Sequence, residues 1–160
     1  MFNKFFNSGA AKDETADKKI SALSEKGYDA MAKGDYEKAL SCWNQSLELD
    51  PENTDAYLNR GNTDAVTRHW DEASVNFNDA IHLDPNCGLA YSNRGNTYLH
   101  KGEIDKAMVD WSKAIQLNPN GAGAFYERGN VHFKKGDLEN EIVPVVKCLE
   151  ALTSIGLPQQ

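Results

Sequence analysis

From Gly88 to Pro119 the chain reads G-L-A-Y-S-N-R-G-N-T-Y-L-H-K-G-E-I-D-K-A-M-V-D-W-S-K-A-I-Q-L-N-P. Shifted back by 34 residues, this stretch meets its own pattern: Tyr91 falls on Tyr57, Gly95 on Gly61, Ala107 on Ala73, Trp111 on Phe77, Ala114 on Ala80 and Pro119 on Pro85. A second shift brings Gly27, Ala39, Trp43, Ser46 and Pro51 into the same register, and a forward shift brings Phe125, Gly129 and Gly136. Self-similarity at such a period is the mark of stacked units that cannot each bury a core alone.

Each unit reads as two helices separated by a tight turn. In the first, a helix is expected from about Ile20 to Ala32, with Gly34 free to take the left-handed conformation that ends it. Asp35 then caps a helix from Tyr36 to about Leu49. Asp50-Pro51 stops that helix, because the residue before a proline is pushed out of the helical region. The second unit repeats the plan over Asp55–Thr67 and Trp70–Leu83, closed by Asp84-Pro85.

The second unit also departs from the plan. Arg68-His69 stands where the neighbours have Gly-Asp or Gly-Glu, which asks a non-glycine residue to adopt a left-handed turn at a cost of about 1 kcal/mol. Asp64 replaces the tyrosine found at Tyr98. Asp64 and Arg68 are spaced for an acid-first helical ion pair, which is expected to offset part of that cost. In the fourth unit Glu141 takes the alanine position and Pro144 falls inside the last helix, which predicts either a bend between Asn140 and Pro144 or a break with Pro144 starting a new turn. Leu138, Ile142, Val145, Leu149 and Leu152 still form one apolar stripe, as a terminal cap with a polar outer face requires.

The chain therefore divides into an extension at 1–19, units at 20–53, 54–87 and 88–121, a degenerate capping unit at 122–155 and a tail at 156–160. Phe2, Phe5 and Phe6 share one helical turn of the extension, which reads either as a flexible tail or as a docking segment.

At pH 7 the formal net charge of the 160 residues is -7. This argues against nucleic acid and anionic membranes as partners, since both call for a basic patch. No apolar run is long enough for membrane insertion, and the N-terminus lacks the apolar core of a secretion signal, so a cytoplasmic setting is the default expectation. Cys42, Cys87 and Cys148 lie far apart and have no metal-ligand spacing, so neither a disulfide framework nor a metal site is expected. A glycine-rich phosphate loop, a nucleophile elbow and a zinc-protease helix are all lacking, and no cofactor or enzymatic activity is expected.

The period, the helix-turn-helix units and the ordered Tyr/Phe, Gly, Ala, Phe/Trp, Ala and Pro positions resemble the tetratricopeptide-repeat (TPR) family over about Ile20 to Leu152. The resemblance implies an all-α TPR solenoid of antiparallel helix pairs forming a right-handed superhelix. It also implies a protein-protein interaction module whose first helices line a concave groove that takes a peptide or partner protein.

Helical phase then puts Glu25, Asn59, Asn93 and Glu127 on the groove side, followed by Tyr28, Asn62, Asn96 and Asn130. Leu58, Leu89, Leu99, His100, Tyr126, Phe133 and Lys134 surround them. The candidate peptide-binding residues are Tyr28, Asn59, Asn62, Asn93, Asn96, Tyr126 and Asn130, because a carboxamide offers a peptide backbone both donors and an acceptor. The alternative is that these asparagines serve packing and capping between units. Lys26, Arg60, Arg94 and Arg128 form a basic row that is expected to pair within each unit, Arg94 with Asp110 most clearly.

Some members of the family clamp the C-terminal carboxylate of heat-shock chaperones with asparagines, lysines and an arginine. Here Asn62 and Asn93 stand at matching positions, but the cationic positions hold Leu58, Gly123 and Glu127. Starting one unit earlier gives Ser24, Tyr28, Asn59, Leu89 and Asn93. The positive charge is missing either way, so no such clamp is expected. Two further readings stand beside the adaptor: a chaperone for secreted or assembly substrates, and a scaffold that forms a homo-oligomer through the solenoid ends.

Overall fold

The computed structural model describes residues 14–119 and 121–135. The aromatic N-terminal turn, the expected bend or break at Pro144 and the apolar stripe from Leu138 to Leu152 lie outside these residues. The elements are α1 (Glu14–Ala32), α2 (Tyr36–Leu49), α3 (Thr54–Val66), α4 (Trp70–Leu83), α5 (Gly88–His100), α6 (Ile104–Leu117) and α7 (Ala122–Lys135). Each odd-numbered helix up to α5 pairs with the next one, each pair leans on the following first helix, and α5 also touches α3 and α7. This is the all-α solenoid of antiparallel helix pairs expected from the sequence. Helix α1 already covers Glu14, about 1.7 turns before the expected start at Ile20.

The caps explain why the helices stop where they do. The carboxylate of Asp35 accepts from the Lys38 amide at 3.2 Å, and Asn53 accepts from the Ala56 amide at 2.9 Å. Asp50 and Asp84 take extended backbone before their prolines, and their side chains accept from the amides of Glu52 and Asn86 at 3.0 and 2.9 Å. The turns inside the units are alike. Gly34, Arg68 and Gly102 have φ of 74°, 65° and 77°, and the amides of Asp35, His69 and Glu103 close back on the carbonyls of Ala30, Asp64 and Tyr98 at 2.8–2.9 Å. Arg68 therefore holds a left-handed turn without glycine.

The expected Asp64–Arg68 ion pair does not form. The left-handed turn takes Arg68 off the helix, so the spacing no longer brings the two side chains together. Arg68 is exposed, and the buried Asp64 carboxylate instead accepts from Asn76 Nδ2 at 2.7 Å.

Aromatic rings resting on glycines fill the core. Trp43, Phe77 and Trp111 are at most 1% exposed. A Cβ placed on Gly27 would come within 2.5 Å of Trp43, one on Gly61 within 2.8 Å of Phe77, and one on Gly95 within 2.7 Å of Trp111. The rings thus pack on the first helix of their own unit as well as against the next. Each indole N–H, which must be satisfied once buried, has an acceptor: Trp43 Nε1 donates to Thr63 Oγ1 at 3.1 Å and Trp111 Nε1 to Asn96 Oδ1 at 2.9 Å. Burying each ring contributes roughly 1.5–3 kcal/mol.

Candidate functional site

The first helices present one continuous face, and the carboxamides of the sequence prediction lie along it as links between neighbouring helices. Asn59 on α3 donates to Tyr28 Oη on α1 at 2.9 Å and to its own helix at the Asp55 carbonyl at 2.8 Å. One unit later Asn93 on α5 bonds Asn62 on α3 at 2.7 Å. Asn96 turns its oxygen down to Trp111. Tyr28 and Tyr126 are 54% and 62% exposed at the two ends of the row, while Asn130 on α7 is half-buried. Tyr28 also meets Trp43 edge-on, with ring centroids 5.3 Å apart.

These bonds leave part of each amide unspent. The Asp55 carbonyl can only accept and the Trp111 indole N–H can only donate, so Asn59 turns its oxygen outward and Asn96 its amide nitrogen. Whichever member of the Asn62/Asn93 pair donates, one oxygen and some N–H capacity remain. The packing and binding readings are therefore compatible: one side of each group ties helices together while the other faces out.

Between α3 and α5, floored by α4, a cleft of about 360 Å³ opens onto this face. Ala65, Val66, Trp70 and Phe77 supply apolar surface, and Asn62, Asn93, Asn96 and Thr97 supply polar groups. The Trp70 ring stacks on His100 with centroids 4.3 Å apart and planes within 6°. Val66 and Trp70 were not singled out from the sequence. The available signal is that Trp70 occupies a position held by Tyr36, Ile104 and Leu138 in the other units, a place where bulk is routine.

The basic row lies on the flank of the first helices. Arg94 donates from Nε and Nη2 to both oxygens of Asp110 at 2.7 Å, as expected, and its Nη1 reaches Asn78 of the preceding unit at 2.6 Å. Hydrogen bonding to Asp110 raises the pKa of the guanidinium further. Arg60 repeats the geometry with Asn76 at 2.7 Å and Asn44 at 2.8 Å. Asn76, at the position equivalent to Asp110, in turn donates to Asp64, so in the second unit a carboxamide stands between the arginine and a carboxylate of α3. Burial raises the Asp64 pKa, against the lowering effects of Asn76 and Arg60. Arg128 lies over the Phe125 ring and reaches Ser112 Oγ at 3.4 Å, its Nε is buried without a partner among the described residues, and burial lowers its pKa. The position equivalent to Asp110 is Pro144. The arginines thus join consecutive units, which goes beyond the expected pairing within each unit.

A chain of stacked helix pairs with a polar and aromatic face along its first helices is a helical-repeat solenoid. The TPR repeat family model matches residues 27–63 and 95–136, so the chain carries TPR repeats over these two stretches. No curated protein sequence matches it. The crystal structure of MamA superposes with a TM-score of 0.77 at 24% identity, covering 84% of this chain and 79% of that one. The first TPR domain of Spaghetti (RPAP3), bound to the HSP90 peptide SRMEEVD, gives 0.71 at 25% identity over 74% and 94% of the two chains. The second TPR domain of human RPAP3, in complex with the HSP70 peptide SGPTIEEVD, gives 0.69 at 22% identity over 72% and 97%.

Proposed function

We propose that this protein is a non-catalytic adaptor that binds an extended peptide segment of a partner protein along the face of its first helices. The row of half-spent carboxamides from Tyr28–Asn59 to Asn62–Asn93 carries this reading, because it sets outward donors and acceptors beside an apolar cleft. Solved relatives that hold chaperone peptides support peptide binding in general. They do not extend to the same ligands, since Leu58, Gly123 and Glu127 stand where a carboxylate clamp needs cations.

The test is co-purification of partners by the wild-type chain and by Asn59→Ala/Asn93→Ala, with helical content checked by circular dichroism. Loss of the bound partner from a folded double variant is the expected result; full retention would move binding to another surface. The state of the captured partner separates two roles: a folded complex marks an adaptor, and a client held unfolded marks a chaperone.

A further inference from the structure

Three carboxylates on the face of the first helices stand without an ion pair among the described residues: Glu25, Glu127 and Asp55, which lies four residues before Asn59 on the same face of α3. A fourth acid of α1, Asp29, is bound to Lys33 at 2.6 Å. In the sequence, the groove-side positions carry one lysine, Lys134, at the far end of the row. The face is therefore acidic where the carboxylate-binding members of the fold need positive charge. The cleft between α3 and α5 also lies at the C-terminal ends of both helices, where the backbone dipoles present their negative ends.

Charge and shape together specify an occupant. The cleft is lined by apolar side chains and rimmed by carboxamides, the arrangement that holds one aliphatic or aromatic side chain while fixing the backbone beside it. Asp55 and Val66 are on the same helix, about 16 Å apart along its axis at 1.5 Å per residue. An extended peptide covers that distance in about five residues. We infer that the peptide is basic: one leucine-like or aromatic side chain enters the cleft at Val66, and a lysine or arginine about five residues away meets Asp55. This inference rests on the reading that the first-helix face binds peptide. An acidic segment such as SRMEEVD would meet like charge here.

The test pans a random-peptide display library against the full chain, then measures the enriched peptides by fluorescence polarisation. The expected winners carry net positive charge and one large apolar residue. Asp55→Lys should weaken them about fivefold to tenfold at low salt and by less at high salt, because surface charges are screened. Val66→Gln, at a site already 54% exposed, should weaken them without unfolding the chain. Acidic winners, or affinities unchanged by Asp55→Lys, would overturn the inference and leave peptide binding standing. The underlying reading itself falls if no peptide is enriched, or if the winners bind Asn59→Ala/Asn93→Ala as well as wild type. A concentration-dependent dimer that Val66→Gln dissociates would identify a second copy as the occupant and also overturn the inference.

Discussion

Arg94 holds Asp110 with two parallel hydrogen bonds of 2.7 Å, its side chain 17% exposed and that of Asp110 5% exposed. Removing one partner strands the other in a desolvated site. Asp110→Ala is expected to cost about 3 kcal/mol, whereas Arg94→Leu/Asp110→Leu recovers much of the loss because no charge stays buried alone. Urea denaturation of the three chains measures both effects.

Arg128 provides the opposite case. Its Nε is buried without an acceptor among the described residues, and its charge is disfavoured by burial. Arg128→Met keeps the aliphatic stem and removes the unpaired donor. Its stability is expected to match or exceed wild type, while Arg94→Met falls well below it; thermal melts of the two variants at neutral pH decide this.

Asp64 gives the fold a pH dependence of definite sign. Burial raises its pKa above the ordinary carboxylate value, so the native state holds this proton more tightly than the unfolded chain. The contribution is fully present below the unfolded-state value and is lost as pH rises through the raised native one. Asp64→Asn can still accept from Asn76 while removing the buried charge. The stability of wild type relative to Asp64→Asn should therefore decline as pH is raised from the acid side toward neutrality. A constant difference across that range would contradict the assignment.

At Arg68 the backbone φ is 65°, a conformation that glycine adopts at no steric cost. Arg68→Gly is expected to stabilise the chain by up to about 1 kcal/mol, since the same turn runs through Gly34 and Gly102 in the neighbouring units. The shift in denaturation midpoint is the measurement.

Gly61 lies directly beneath the Phe77 ring, where an added Cβ would sit 2.8 Å away. Gly61→Ala should destabilise by roughly 1–3 kcal/mol through overpacking. Adding Phe77→Leu should return part of that, which a double-mutant cycle reads directly.

The helices and their stops were legible because their causes are local. Asp35, Asn53, Asp50-Pro51 and Asp84-Pro85 act within a few residues of the ends they set. Arg94–Asp110 was legible because the second helix of a unit folds back on the first. Less could be read where a contact crosses units or leaves the helix. Spacing proposed Asp64–Arg68, but the left-handed turn separates them and Asn76 takes the carboxylate. The asparagine row was visible as a pattern. Its pairing depends on how neighbouring first helices are staggered, and that is a property of the stack. Trp70 escaped notice because a large residue at its position is ordinary in every unit; only the stacked His100 of the next unit marks it.

The arginine row has a mechanical consequence. Arg60 and Arg94 each grip a side chain of the preceding unit, at 2.8 and 2.6 Å, while Arg128 holds its neighbour through a hydroxyl at 3.4 Å. In a one-dimensional stack, stability is the sum of each unit and its coupling to the next, so the weakest joint decides where the stack opens. Among the described residues, opening is therefore biased toward the α6–α7 junction, and α7 is expected to exchange its amide protons before α3 and α5.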